Sequence, residues 1–152
     1  MRWHTREDSG IRLDRELRWW HDDEPVEHPK LIEAFNRGLK VTDDGKYRLE
    51  FGNDWCFVTV EEAAYGVVAV DVSEGDVPSV RLTDRTAEAL EVGTLELGGD
   101  GVLLAKVKGG KARARFSRDA QFALGEMVEP TERGYVLRVG QRTVPLPEQV
   151  RL

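Results

Sequence analysis

The sequence lacks what several protein classes need. A single cysteine, Cys56, in 152 residues cannot close an intramolecular disulfide, so a disulfide-stapled scaffold is excluded and a reducing, cytoplasmic setting is the expectation. No run approaches the roughly 18 apolar residues of a membrane span. The opening stretch MRWHTREDSG has no apolar core of an export signal, so neither export nor a membrane is expected. There is no Gly-x-Ser-x-Gly, no Gly-Lys-Ser/Thr phosphate loop, no Gly-x-Gly-x-x-Gly and no His-Glu-x-x-His. Cys56 sits in an alternating strand-like run with no basic group beside it to favour a thiolate. No catalytic residue emerges, and an enzyme ranks last among the readings. His21, Asp22, Asp23, Glu24, Glu27 and His28 mix imidazole with carboxylate, but their spacing matches no standard metal site. Acids ahead of a helix start are favourable with its dipole in any case. Neither a metal nor a cofactor is expected.

What is present suits a packed domain: 40% apolar and 33% charged residues, with a formal net charge of −6. The charge is uneven. Residues 1–80 carry 10 Lys and Arg against 18 Asp and Glu, and residues 81–152 carry 12 against 10. Halves of opposite sign either face each other or leave one to take an anionic ligand.

Along the chain, residues 1–10 are a polar tail, and 11–16 and 18–22 alternate as two short strands. Pro29 suits the first turn of a helix over 29–40, with Leu31, Ile32, Phe35 and Leu39 on one face. Strands follow near 47–51, 55–60 and 67–72. Residues 73–78 read as a linker, placing a first half at 11–76 and a second at 77–152. In the second half, strands are expected near 79–83, 88–97, 102–108 and 111–116. A helix follows at 118–128 with Ser117 as its cap and Ala120, Ala123, Leu124 and Met127 as its apolar face, then a last strand pair from Gly134. A shift of 88 residues aligns Tyr47 with Tyr135, Leu49 with Leu137 and Gly52 with Gly140. It also lays Cys56 on Val144 and Val58 on Leu146. The fold class is α+β: two duplicated, mostly antiparallel-β halves with one helix each. A unit of about 70 residues buries only roughly 60% of its unfolded surface, so the halves gain by sharing an interface, and the groove between them is the default ligand site.

The sharpest local signal is a hairpin over 102–116. A Gly109-Gly110 connection fits the tight turns that close hairpins, and pairs Lys108 with Lys111, Lys106 with Arg113 and Leu104 with Arg115. One face then carries Leu103, Ala105, Val107, Ala112, Ala114 and Phe116. The other carries Lys106, Lys108, Lys111, Arg113 and Arg115, with Arg118 following and no acid before Asp119. Like charges opposed across strands cost about 0.2–1 kcal/mol per pair. Solvation, acids from elsewhere in the protein, or a bound anion would each relieve that cost. Trp20 shares the polar side of its strand with Arg18 and Asp22, where it could stack on a base or pack on the other half.

The stretch Arg12–Leu39, with Trp19, Trp20, Pro25, Val26 and Phe35, together with Tyr47-x-Leu49, Val107-Lys108 and Ala114 to Arg118, resembles the bacterial family known as domain of unknown function 1285. The resemblance spans about residues 11–145. It implies two similar halves, the second loosely like a pleckstrin-homology module, a ligand site at their interface for a nucleotide-like or nucleic-acid ligand, and a signalling role. The chain departs from the family at Phe51–Trp55 and at His28, but Asp54 keeps the acid of that stretch, which makes it the candidate first-half contact. The expectation is a non-catalytic protein binding an anionic ligand through Lys106, Lys108, Lys111, Arg113, Arg115 and Arg118. The alternative is a structural or interaction protein whose basic face meets an acidic protein surface.

Overall fold

Alternation in the first residues makes a hairpin. Strands β1 (Ile11–Leu13) and β2 (Trp19–His21) pair antiparallel and turn Ile11, Leu13 and Trp19 inward. A short β3 (Glu24–Pro25) extends it. The computed structural model describes residues 5–72 and 77–150; residues 73–76, most of the expected linker, lie outside the described residues, as do 1–4 and 151–152.

Helix α1 (Pro29–Gly38) opens at Pro29 and buries Phe35, whose ring meets Trp19 and Phe51 edge-on at centroid distances of 5.2 and 5.4 Å. Such aromatic pairs contribute about 0.5–1.5 kcal/mol each beyond their buried area. The helix stops two residues short of the expected 40, because Leu39 turns extended and begins a new strand. The strands β4 (Leu39–Val41), β5 (Tyr47–Phe51) and β6 (Asp54–Val60) form a meander, and β6 lies parallel to β1. The first sheet is thus β3-β2-β1-β6-β5-β4.

The second sheet contains β7 (Tyr65–Asp71), β8 (Ser79–Leu82), β9 (Ala87–Ala89), β10 (Glu96–Leu97), β11 (Leu103–Val107) and β12 (Ala112–Phe116), in the order β10-β11-β12-β7-β8-β9. Both sheets follow one plan: two antiparallel three-strand units joined through a single parallel pair, β1 with β6 and β12 with β7. Helix α2 (Arg118–Gly125) and a third sheet of β13 (Val128–Thr131), β14 (Gly134–Val139) and β15 (Arg142–Pro145) complete the α+β fold. Ser117 caps α2, its Oγ accepting from the Ala120 N–H at 3.1 Å.

The sequence repeat is visible in the strand register. Leu49 faces Cys56 across β5 and β6, and Leu137 faces Val144 across β14 and β15, the same pairing displaced by 88 residues. Helix followed by meander therefore occurs twice.

Several boundaries move. β7, expected in the first half, belongs to the second sheet, where Ala114 pairs with Tyr65 and Phe116 with Val67. The division between sheets falls at residues 61–64 rather than at 76, since the buried apolar side of β7 (Tyr65 and Val67) continues that of β12. The expected strand at 88–97 breaks into β9, a 3-10 turn at Val92–Thr94 and β10. Helix α2 ends at Gly125, so Met127 lies past it, next to β13. Residues 5–10 are not a loose tail. The Phe57 N–H donates to the Arg6 carbonyl at 2.7 Å, and buried Ser9 donates from Oγ to the Phe57 carbonyl at 2.7 Å, which carries the β1 side of the sheet back along β6.

One continuous buried cluster runs through Trp19, Phe35 and Leu49 of the first sheet, Val67, Leu103 and Phe116 of the second, and Leu137 of the third. The Tyr65 hydroxyl ties the sheets by donating to the Leu39 carbonyl at 3.0 Å. A fragment of residues 1–72 should therefore lack a cooperative thermal transition, because β7 would lose both neighbours and the core its far wall. Circular dichroism or calorimetry on that fragment beside the full chain is the check. A sharp transition near the full-length midpoint would show the first half to be autonomous.

Candidate functional site

The basic hairpin forms in the expected register. Lys106 faces Arg113, Leu104 faces Arg115, and the six residues of the apolar face, Leu103 to Phe116, are all buried. Its tip differs. The strands end at Val107 and Ala112, and Lys108, Gly109 and Gly110 take φ of +57°, +68° and +85°. Glycine enters that region at little cost, but lysine does not.

The strained Lys108 leaves the cationic face altogether. Its N–H donates to the Glu88 carboxylate at 3.2 Å, and its Nζ donates to Asp84 Oδ2 at 2.6 Å and Thr86 Oγ1 at 2.8 Å. The same ammonium lies 4.9 Å from the centroid of the Tyr65 ring. The Asp84 side chain is 3% exposed and that of Lys108 21%. Burial by itself would raise the Asp84 carboxyl, but the hydrogen bonds from Lys108 and Thr86 outweigh it and hold the group below its ordinary value. Lys108 is thus a structural pin between the hairpin tip and the turn after β8, facing away from the solvent side on which a ligand was expected.

The remaining cations divide between two grooves. Lys106, Lys111 and Arg113 line one of about 360 Å³ against Tyr47, Glu61 and Glu62 of the first sheet and its exit loop. Here the second half faces the first. Lys111 reaches Asp43 of the first half, and Arg113 pairs with Glu96 at 3.2 Å. Lys106 is exposed and forms no ion pair among the described residues. On the opposite wall, Glu61 pairs with Arg12 at 3.0 Å and Glu62 with Arg15 at 3.1 Å. Burial raises the Tyr47 phenol despite the nearby Arg113, so it stays neutral and can donate. Arg115 and Arg118 lie in a second groove beside α2, and Arg115 pairs with Asp100 at 2.8 Å.

Trp20 and Asp54 line neither groove. Trp20 is held on the outer side of the first sheet, its Nε1 donating to Asp14 at 2.9 Å and the Arg12 guanidinium 5.0 Å from its ring. Asp54 stands at the β5–β6 turn, accepting from its neighbour's N–H, Trp55, at 2.8 Å and from Arg6 at 3.0 Å. Those bonds lower its carboxyl, the Trp55 N–H most of all. Cys56 is buried, and burial pushes its thiol up, away from the reactive thiolate.

The sequence matches no protein-family model and no curated protein. The solved structures do match. A DUF1285 family protein from Silicibacter pomeroyi DSS-3 superposes with a TM-score of 0.65 at 19% identity, over 90% of this chain and 79% of that one. A DUF1285 family protein from Shewanella baltica OS155 gives 0.57 at 16% identity, over 77% of this chain and 91% of that one. The fold is that of the DUF1285 proteins. The resemblance to that family is therefore matched at the level of the fold.

Within this DUF1285 fold, sequence reasoning overlooked Asp84 and Phe122. Asp84 had a local signal: its Oδ1 accepts from the Thr86 N–H at 3.1 Å, the bond an Asp makes in a tight turn. Nothing local announced that the turn would meet Lys108. Phe122 stands off the Ala120–Leu124 stripe of its helix, an apolar residue on a polar face, and that mismatch was readable.

Proposed function

We propose that the protein is a non-catalytic binding protein that holds an anionic, nucleotide-like or nucleic-acid ligand in the groove between its two halves. The observation that carries the proposal is Lys106. It is an exposed cation with no ion pair among the described residues, opposite Arg113 and sharing with it and Lys111 a groove whose opposing acids are each occupied by an arginine. A volume of about 360 Å³ and a polar lining suit a mononucleotide or one unit of a strand better than a duplex. A cytoplasmic location, a signalling role and a pleckstrin-homology-like second half belong to the same proposal.

A second reading has its own support. Four of the six cations meet acids of the same chain: Lys108 with Asp84, Lys111 with Asp43, Arg113 with Glu96 and Arg115 with Asp100. This favours a structural or interaction protein whose basic strip serves internal pairing and leaves its residue for an acidic partner surface.

Titration with a mononucleotide panel and a short mixed-sequence DNA strand separates the two. Under the first reading, the affinity for the strand falls with salt at a log–log slope of about −2, for three cations at roughly 0.7 each. Lys106→Glu abolishes it and leaves the melting temperature unchanged. Absence of wild-type binding at low salt, or binding indifferent to Lys106→Glu, rejects the groove and leaves the second reading.

A further inference from the structure

The groove beside α2 differs in character from the one between the halves. It encloses about 660 Å³, and its lining includes Val102, Arg115, Phe116, Arg118, Gln121 and Phe122. The buried Phe116 contributes to it at the end of the hairpin. Gln121 is fully engaged: its Oε1 accepts from the Leu103 N–H at 2.9 Å, and its Nε2 donates to the Gly101 carbonyl at 3.0 Å. That amide therefore fixes α2 against the start of β11 and has little left for a partner.

Two features of the groove ask for an occupant. Phe122 is 69% exposed, the most exposed large apolar residue described, because Ala120 and Leu124 take the inward side of α2. Arg118, exposed in the first turn of the same helix, has no ion pair among the described residues, and Arg115 beside it is 15% exposed with Asp100 as its partner. No acidic residue lines the groove. An apolar surface beside the unpaired Arg118 is complementary to an apolar side chain flanked by carboxylates. The openness of the wall decides the kind of occupant. A small ligand is normally buried over some 70–90% of its surface, whereas a ligand against Phe122 would remain largely in water. A protein partner brings the second wall with it, and exposed aromatic residues next to arginine are the composition of interface hot spots.

We propose that this groove is a docking site for a protein segment that presents a bulky apolar side chain between acidic residues. The apolar side chain packs against Phe122 and Val102, and its flanking carboxylates meet Arg118 and the exposed edge of Arg115. The site is separate from the groove of Lys106, so either can fail without the other.

The test is selection of phage-displayed random peptides on the immobilised full-length protein, followed by fluorescence anisotropy on the enriched sequences. Enrichment of peptides with Phe, Leu or Trp beside Asp or Glu is expected. Their affinity should fall by about tenfold or more in Phe122→Ser and in Arg118→Glu, as for hot-spot residues. It should be unchanged in Lys30→Glu, an exposed charge change on α1. Phe122 and Arg118 are exposed, so both variants should keep the wild-type melting temperature, measured on the same samples. Three outcomes overturn the proposal: no enrichment, enrichment of sequences without acids, or affinity indifferent to both substitutions. Binding of an aromatic carboxylate such as 1-naphthoate in place of any peptide, lost in Phe122→Ser, would also overturn it in favour of a small-ligand site.

Discussion

Lys108→Ala should destabilise the protein by up to about 3–5 kcal/mol, the cost of leaving one partner of a fully buried ion pair without the other, since the Asp84 side chain is 3% exposed and that of Lys108 21%. Lys106→Ala, two residues away on an exposed face, should change stability by about 0.5 kcal/mol or less. Both are lysines of one hairpin, and only their surroundings differ. Asp84 keeps its charge in a site 3% exposed because Lys108 and Thr86 donate to it. Without the ammonium, burial is the dominant influence and the carboxyl rises. The pH dependence gives the sign. In the wild type the folded-state pKa of Asp84 lies below its unfolded value, so its contribution is complete above about pH 4 and is lost as pH falls through the folded value. In Lys108→Ala the loss of the ammonium moves the folded value up, so the variant loses less stability than the wild type on acidification and its deficit narrows. Urea denaturation of both proteins at neutral and acidic pH measures this. A deficit below about 1 kcal/mol, constant with pH, would mean that the pair is screened by solvent. Replacing both residues with apolar ones, Lys108→Met with Asp84→Leu, should recover most of the loss.

Gly38→Ala should also be strongly destabilising, by about 1–3 kcal/mol or more, although helix propensity alone argues for a gain of up to about 1 kcal/mol at the last residue of α1. A β-carbon at residue 38 would stand 2.5 Å from the Glu50 carbonyl oxygen, and its neighbour Glu50 N would lie at 3.4 Å. Both atoms belong to the backbone of β5, which is held on either side by β4 and β6 and cannot yield as a side chain would. The helix would have to lift from the sheet, loosening Phe35 from Phe51. Two substitutions at open glycines set the scale, since Gly93→Ala and Gly125→Ala meet nothing within 4 Å. A stabilised Gly38→Ala would show that α1 can slide on the sheet.

The readable part of the site was the hairpin face. Residues alternate with period two, and Gly109-Gly110 marks the reversal, so the inward set from Leu103 to Phe116 and the pairing of Lys106 with Arg113 followed without any distant contact. The destination of each cation was not readable. Arg113 finds Glu96 on β10, Arg115 finds Asp100 in the loop between β10 and β11, and Lys108 finds Asp84 in the turn after β8. A lysine in a strand pattern looks the same whether it ends in water or on a buried carboxylate. Only the positive φ at Lys108 separates the cases, and φ depends on what the tip packs against.

The same division runs through the whole fold. Local chemistry decided the elements: Pro29 at a helix start, Ser117 at a cap, alternating apolar residues in β5, β6, β11 and β12, and the helix-meander repeat that returns after 88 residues. Periodicity separates an inner from an outer face because that information repeats every two residues in a strand or every three to four in a helix. Partner choice does not repeat. β7 joins β12 in parallel across some fifty residues of chain, pulling a strand out of the first half, and no turn between them records it. That pairing closes the second sheet, sets the groove of Lys106 against the first, and is settled by which arrangement buries the shared core from Trp19 to Leu137. Tertiary packing decided it because the burial of that core is a property of all the strands together and of no single segment.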